Sequence, residues 1–389
     1  MKAEKIQYII FLLAISAGLA VANIYYTQPI LPLLMLDFNA GYEQIGIIPM
    51  VTQLGYAVGI LFLLPLGDKY NRRHLILTKG IILSVALGLI SVNHSINSLI
   101  AFSFIIGVFS TIAQDIVPIA AIISPGNKQG KYVGTVMTGL LLGILLSRTI
   151  SGLFGEFLNW NLLFVFSSVI MLVINIILWV NLPNFPANNK LHYFSLLSSL
   201  KLLWVRYDAV RKSVISQASL SISFSIFWST LALYLSDSYN FSSSVVGLFG
   251  LAGAIGAIAA PVAGSLSDKW GTKTVAQISA LLVIGSFSMM LLIPYANDVW
   301  KMALIVLCVI GFDLGVQASL VSNQSMIYQL DPTARGRLNA ILFTGVFIGM
   351  AIGSWLGNWV YLHFHWKGVT LFAMFFGGVS VLINRLRVN

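Results

Sequence analysis

Three charged residues, Asp115, Arg148 and Asp313, lie within runs of sequence that are otherwise apolar. A charge at the centre of a membrane-crossing helix costs roughly 2.5–3.5 kcal/mol, so each is expected to face water, another charge or a ligand. The residue types define the chemistry. A carboxylate opened in turn to two aqueous compartments can take up a proton from one and release it to the other. A guanidinium can be its counter-ion, or can grip a substrate carboxylate with two parallel hydrogen bonds. Depth separates the three. At 1.5 Å per residue, Arg148 lies about 25 Å and Asp313 about 20 Å from the basic ends of their helices. They are expected to face each other across a central cavity, with Asp313 the first choice of proton carrier. Asp115, at about 13 Å, is expected either to carry a proton or to pair with Arg72 or Arg73 nearer the surface.

Polar and aromatic residues cluster at matching depths. Asn23, Tyr25, Tyr26 and Gln28 precede Pro29 and Pro32, Gln114 adjoins Asp115, and Phe227, Trp228 and Tyr234 share one segment. Gln317 follows Asp313 by one helical turn, on the same face. An apolar pocket with a few placed polar groups is what small-molecule sites look like, although each aromatic taken alone reads equally as packing. Other chemistry is missing from the sequence. No phosphate-binding loop follows a strand, no His-x3-His pair is spaced for a metal, and no nucleophile elbow occurs. Cys308 is the only cysteine and stands in an apolar run, so it reads as a small core residue. His363 and His365 read as loop residues. No enzyme reaction, metal or cofactor is implied, and a proton gradient is the expected energy source.

The elements that must hold these residues follow from composition. The chain has 389 residues, 58% of them apolar and 9% charged, against about 25% charged in soluble domains. A helix needs about 20 apolar residues to cross a bilayer. The runs predict twelve spans, near 6–35, 44–66, 75–93, 97–123, 132–156, 161–182, 213–238, 242–266, 274–295, 298–327, 338–361 and 366–384. Of the 22 Lys and Arg, 19 are then assigned to one side, that of the chain ends and even-numbered loops, Lys79 near the start of span three among them; Lys301 and Lys367 fall opposite, and Arg148 lies within a span. The positive-inside rule makes the basic face cytoplasmic, with both termini there. The net charge of +10 is thus a topology signal, and nucleic acid is no partner. The first span is too long for a signal-peptide core and is expected to be retained. A bacterial inner membrane fits the short loops.

The segment 183–212 divides the chain into 1–182 and 213–389, each predicted to be a six-helix bundle. It opens Pro183-Asn-Phe-Pro186 and carries Lys190, Lys201, Arg206, Arg211 and Lys212. Phe194, Leu197, Leu200, Leu203 and Trp204 recur in it at helical spacing, which predicts an amphipathic surface helix. The halves repeat each other. Thr138-Gly139-x3-Gly143-x3-Ser147 matches Thr344-Gly345-x3-Gly349-x3-Gly353, and at the same offset Gly130-Lys131 matches Gly336-Arg337 and Trp160 matches Trp366. Parallel repeats of this kind are a transporter architecture, with the substrate path at their interface.

Two loops carry a family resemblance. Gly264-Ser-Leu-Ser-Asp268-Lys269-Trp-Gly271-Thr-Lys273 resembles the loop signature of the major facilitator superfamily, G-x-x-x-D-[RK]-x-G-x-[RK]. Leu64-Pro-Leu-Gly-Asp68-Lys69-Tyr-Asn71-Arg72-Arg73 is its first-half copy, with both glycines replaced. The resemblance implies an all-α, twelve-helix fold working by alternating access. It also implies a cytoplasmic gate at Asp68, Lys69, Arg72, Arg73, Asp268, Lys269 and Lys273, where exposed ion pairs form and break at little cost.

The fifth span resembles the G-x3-G-P-x2-G-G signature of proton-linked drug exporters in the same superfamily. It reads Gly143-x3-Ser147-Arg148-x2-Ser151-Gly152, with Arg148 in place of the proline. The arginine those exporters carry about twelve residues before the proline matching Pro118 is absent here, which leaves Asp115 and Arg148 as a candidate relocated relay. Small residues allow close helix approach. Gly139, Gly143, Gly152, Gly345, Gly349 and Gly353, with Gly247, Gly250, Gly253 and Gly256 of span eight, are expected to be contacts on which the halves rock. The resemblance implies a monomeric, lipid-embedded exporter of a small organic molecule. An importer of an organic anion is the alternative, because Arg148 suits a carboxylate, and a non-transporting sensor is a third.

Overall fold

In lipid every backbone amide must be paired within the protein, which leaves a long apolar segment only the helix. The computed structural model describes residues 3–125, 129–185, 193–331 and 334–386, and contains no strand among them. Among the described residues ten helices are long and apolar enough to cross a membrane. The last of these, Arg335–Arg385, is two passes, because His365 leaves the helical region at φ 55°. Ser243–Ala252 and Ala254–Trp270 together make one more pass, interrupted at Gly253. The architecture is therefore the expected twelve-span, all-α one.

The first span departs from its expected continuity. Helix Ala3–Ala22 stops, turns lead to Gln28–Ile30, and a short helix Leu31–Asp37 completes the crossing. Two features end it. The Asn23 amide bonds back to the Leu19 carbonyl at 2.8 Å, and Pro29 and Pro32 have no N–H to continue the ladder. Span two, Tyr42–Lys69, contains a widened turn at Gly59–Leu63 just before Pro65, for the same reason.

The glycine stripes pack helices within each half. A side chain at Gly139 or Gly143 of span five (Gln129–Phe157) would strike the backbone of Ala14 or Gly18 in span one. Gly345, Gly349 and Gly353 of span eleven lie in the same way on Val214, Ala218 and Ile222 of span seven, Asp208–Tyr239. The crossing of spans one and five is thus repeated by spans seven and eleven. Of the glycines expected at the rocking contact, Gly152 lies between halves, on Ser243 and Gly247 of span eight, and Gly247 and Gly250 face it from the other half, on Arg148 of span five. The side-chain surroundings of Gly256, like Pro186 and Lys190, lie outside the described residues.

The linker forms helix Tyr193–Arg206. Leu196, Leu200 and Leu203 are its buried face, while Phe194 is exposed. Tyr193 Oη donates to the Phe62 carbonyl of span two at 2.7 Å, and Leu200 and Leu203 join a cluster with Val214, Leu338 and Ile341. The helix therefore leans on both halves.

Candidate functional site

Arg148 is held in an aromatic cage where the halves meet. Its guanidinium carbon lies 4.1 Å from the Trp228 ring centroid, 4.9 Å from Tyr25 and 5.7 Å from Phe224. Its Nε donates to Gln28 Oε1 at 3.0 Å. Cation–π contacts of this kind are worth up to about 2 kcal/mol each once desolvated. They let a buried guanidinium persist without a carboxylate in contact. Nη2 is buried and has no hydrogen-bond partner among the described residues. Room for the side chain comes from span eight: a Cβ at Gly250 would lie 2.9 Å from the Arg148 Cβ, and one at Gly253 would strike Asp313 Oδ2.

Asp313, on span ten (Asp298–Leu330), is buried close by but forms no ion pair with Arg148. The Trp228 indole touches both, its Nε1 donating to Asp313 Oδ1 at 3.5 Å. Arg148, Tyr25 and Gln28 belong to the first half, and Trp228 and Asp313 to the second. Relative motion of the halves must remake this arrangement. Beside it, Tyr25, Gln114, Gln217, Phe224 and Gln317 line a cavity of about 140 Å³. Arg148 and Asp313 were expected to face each other, and Gln28, Gln114, Trp228 and Gln317 to surround them; all six lie in or beside this centre.

Four expected cavity residues lie elsewhere. Asn23 bonds its own helix. Tyr26 lines a groove between spans one and five on the outer surface, so its neighbour Tyr25 is the tyrosine that meets Arg148. Phe227 is fully buried among Phe287, Phe312 and Trp366. Tyr234 stacks on Trp366 at 4.0 Å. Residues one apart on a helix point about 100° from each other, which is why Trp228 reaches the centre and Phe227 does not.

Asp115 pairs with neither Arg72, Arg73 nor Arg148. Lys79 of span three, Arg72–Ser91, meets its Oδ2 at 2.5 Å, and both side chains are almost wholly buried. Lys79 had been assigned to the basic face with the loop cations, yet it lies two turns inside the helix. An apolar run flanking a single lysine was the signal. Asp115 Oδ1 has no hydrogen-bond partner among the described residues.

The hydrogen bonds that join the halves among the described residues lie on the side away from the basic loops. At the face opposite the basic loops, Thr149 Oγ1 donates to the Gly247 carbonyl at 3.1 Å. Gln53 Oε1 accepts from Ser354 at 2.9 Å and from Ser225 at 3.3 Å. Tyr42 and Tyr361 both donate to Asp237 Oδ2, at 3.0 and 2.9 Å. Sequence reading missed Gln53, Asp237 and these tyrosines. Gln53 was detectable as a lone amide in an apolar run. At the basic face a cavity of about 140 Å³ separates Pro65 and Asp68 of span two from Gly336 and Arg337 of span eleven.

The signature loops do not meet across this gap. Asp68 pairs with Arg72 of its own half at 2.8 Å, Arg73 bonds Asn184 and the Trp179 carbonyl, and Lys69 lies over the Tyr70 ring. Asp268 and Lys269 are exposed at the end of helix Ala254–Trp270, and Lys273 follows in span nine. Among the described residues Asp268 makes no ion pair.

Comparison with known proteins bears on the whole chain. The family model described as Major Facilitator Superfamily matches residues 13–329 and 214–388. The chain is 36% identical over 379 residues to the uncharacterized transporter YgaY of Escherichia coli O157:H7, covering 97% of this chain and 94% of the relative. It is 24% identical over 314 residues to the quinolone resistance protein NorA of Staphylococcus aureus (strain COL), covering 78% and 76%. Among solved structures it resembles a bacterial homologue of the human lysosomal transporter Spinster, inward-facing and unoccupied. The TM-score there is 0.80 at 14% identity, over 99% of this chain and 96% of the other.

Proposed function

This chain belongs to the Major Facilitator Superfamily and is a membrane transporter, and from that premise we propose that it exports a small organic molecule across a bacterial inner membrane in exchange for protons. The observation that carries the proposal is the chain of contacts from Arg148 through Trp228 to Asp313 across the two halves. Rocking the halves moves the guanidinium relative to the carboxylate, and so changes how readily Asp313 holds a proton. Likeness to a quinolone resistance protein supports export as the direction. The positive-inside rule supports a cytoplasmic basic face, and the bonds between halves on the opposite side support reading this arrangement as inward-open. Asp68 and Asp268 engage the facing half only when that mouth closes.

A second reading has its own observation. The buried, unpartnered Nη2 of Arg148 suits a substrate carboxylate, which would make the protein a proton-linked importer of an organic anion. Proteoliposomes separate the readings. An imposed pH gradient should drive a fluoroquinolone against its concentration under export, and Asp313→Asn should abolish that drive while leaving exchange measurable. Under the second reading Arg148→Gln instead abolishes binding of a carboxylate ligand. A charge-assisted bond is worth roughly 1.5–3 kcal/mol, or ten- to a hundredfold in affinity. Undiminished pH-driven accumulation by Asp313→Asn overturns the coupling role.

A further inference from the structure

A cavity of about 410 Å³ lies away from the central path, under the linker helix. Its walls come from three bodies: Leu61 and Phe62 of span two, Lys201 and Trp204 of helix Tyr193–Arg206, and Thr344 and Ile348 of span eleven. The lining is apolar except at two points. The Thr344 hydroxyl is buried without a hydrogen-bond partner among the described residues. Lys201 is exposed and makes no ion pair among the described residues.

The groove opens outward, not toward the centre. Phe62 and Ile348 at its edge are exposed, at 43% and 41%. On the linker helix, Phe194, Leu202 and Val205 share a second apolar face, 81%, 62% and 61% exposed. Apolar exposure of this extent beside membrane spans is covered by lipid. The scale also fits. From Arg335 at the basic end of span eleven to Ile348 the helix climbs about 20 Å, comparable with the ~15 Å hydrocarbon depth of one leaflet. An apolar slot therefore runs through one leaflet, with a cation at headgroup level.

We propose that this groove binds one anionic phospholipid of the leaflet on the basic face, its acyl chain between spans two and eleven and its phosphate on Lys201. Tyr193, bonded to the Phe62 carbonyl, anchors the wall formed by the linker helix. Both halves contribute walls, so the lipid fits only while the basic ends of spans two and eleven are apart. A ligand selective for one conformation shifts the population toward it, so the lipid favours the inward-open state, a consequence that rests on the reading of that state given above.

Trp204 provides the probe. The full-length protein is placed in phosphatidylcholine nanodiscs containing increasing fractions of phosphatidylglycerol brominated in one acyl chain. The Trp204 signal is taken as the difference from Trp204→Phe. Saturable quenching at low phosphatidylglycerol fractions is expected, with the half-point raised about fivefold by Lys201→Gln, the share of one lysine at an anionic surface. Thr344→Leu, which fills the slot, should abolish the saturable part. Quenching that merely follows the brominated fraction, or is equal for brominated phosphatidylcholine and indifferent to Lys201→Gln, overturns the proposal. Phosphatidylglycerol should also raise cross-linking between cysteines at Glu156 and Ser244, which touch in this state; no change there overturns the state preference. These readouts need neither substrate nor a proton gradient, so a failed export assay and a failed lipid assay are told apart.

Discussion

The Lys79–Asp115 pair offers a quantitative test of how charge is carried inside the first half. The nitrogen and oxygen are 2.5 Å apart, and the side chains retain 4% and 1% of their exposure. At an effective dielectric of about 20 this separation gives about 7 kcal/mol of attraction. Removing both ions from water costs several kcal/mol each, so the intact pair contributes little net stability. Breaking it is another matter, because the survivor stays buried and charged, at about 3–5 kcal/mol. Lys79→Met and Asp115→Leu should each destabilise by that amount, and the double substitution should cost far less than the two together. The assay is unfolding of purified protein in mixed detergent micelles, followed as a double-mutant cycle. A double variant as unstable as the sum of the singles would refute the reasoning, since the two groups would then act independently. Retained pH-driven transport in the double variant would also remove Asp115 from the proton path.

Other perturbations address the remaining contacts. Gly152→Val places a side chain against the Ser243 carbonyl, so it should shift the protein toward outward-facing and reduce cysteine cross-linking between positions 156 and 244 several-fold. Gln53→Leu removes acceptors from Ser225 and Ser354; at about 0.5–1.5 kcal/mol per bond it should shift the same equilibrium by about two- to tenfold for each bond lost, read by spin-label distances across spans two and eleven. Asp268→Asn should weaken closure of the basic mouth and increase the inward-open fraction; unchanged cross-linking there would remove that loop from the gate. Arg148→Lys should recover little of the loss in Arg148→Gln, since an ammonium cannot stack its plane on Trp228 as a guanidinium does, and full recovery in transport assays would show that charge alone suffices.

What the linear sequence determined was everything that depends on the solvent and on local chain chemistry. Lipid cannot pair backbone amides, so twelve apolar runs had to become helices, and the offset between Thr138-Gly139 and Thr344-Gly345 disclosed two copies of one bundle. The cost of burying Arg148 and Asp313 marked them as a pair before any contact was seen. Tertiary structure decided what rotation about a helix axis decides. It turned Tyr25 and Trp228 toward Arg148, and Tyr26 and Phe227 away, a choice invisible in composition because both members of each pair are aromatic and buried. It gave Asp115 to Lys79 instead of Arg72, Arg73 or Arg148, because spans three and four pack side by side at that depth. It placed the stripes of spans five and eleven inside the halves and left Gly152, Gly247 and Gly250 to join them. A spacing pattern states that two helices approach closely, but only the packing of all twelve fixes which two.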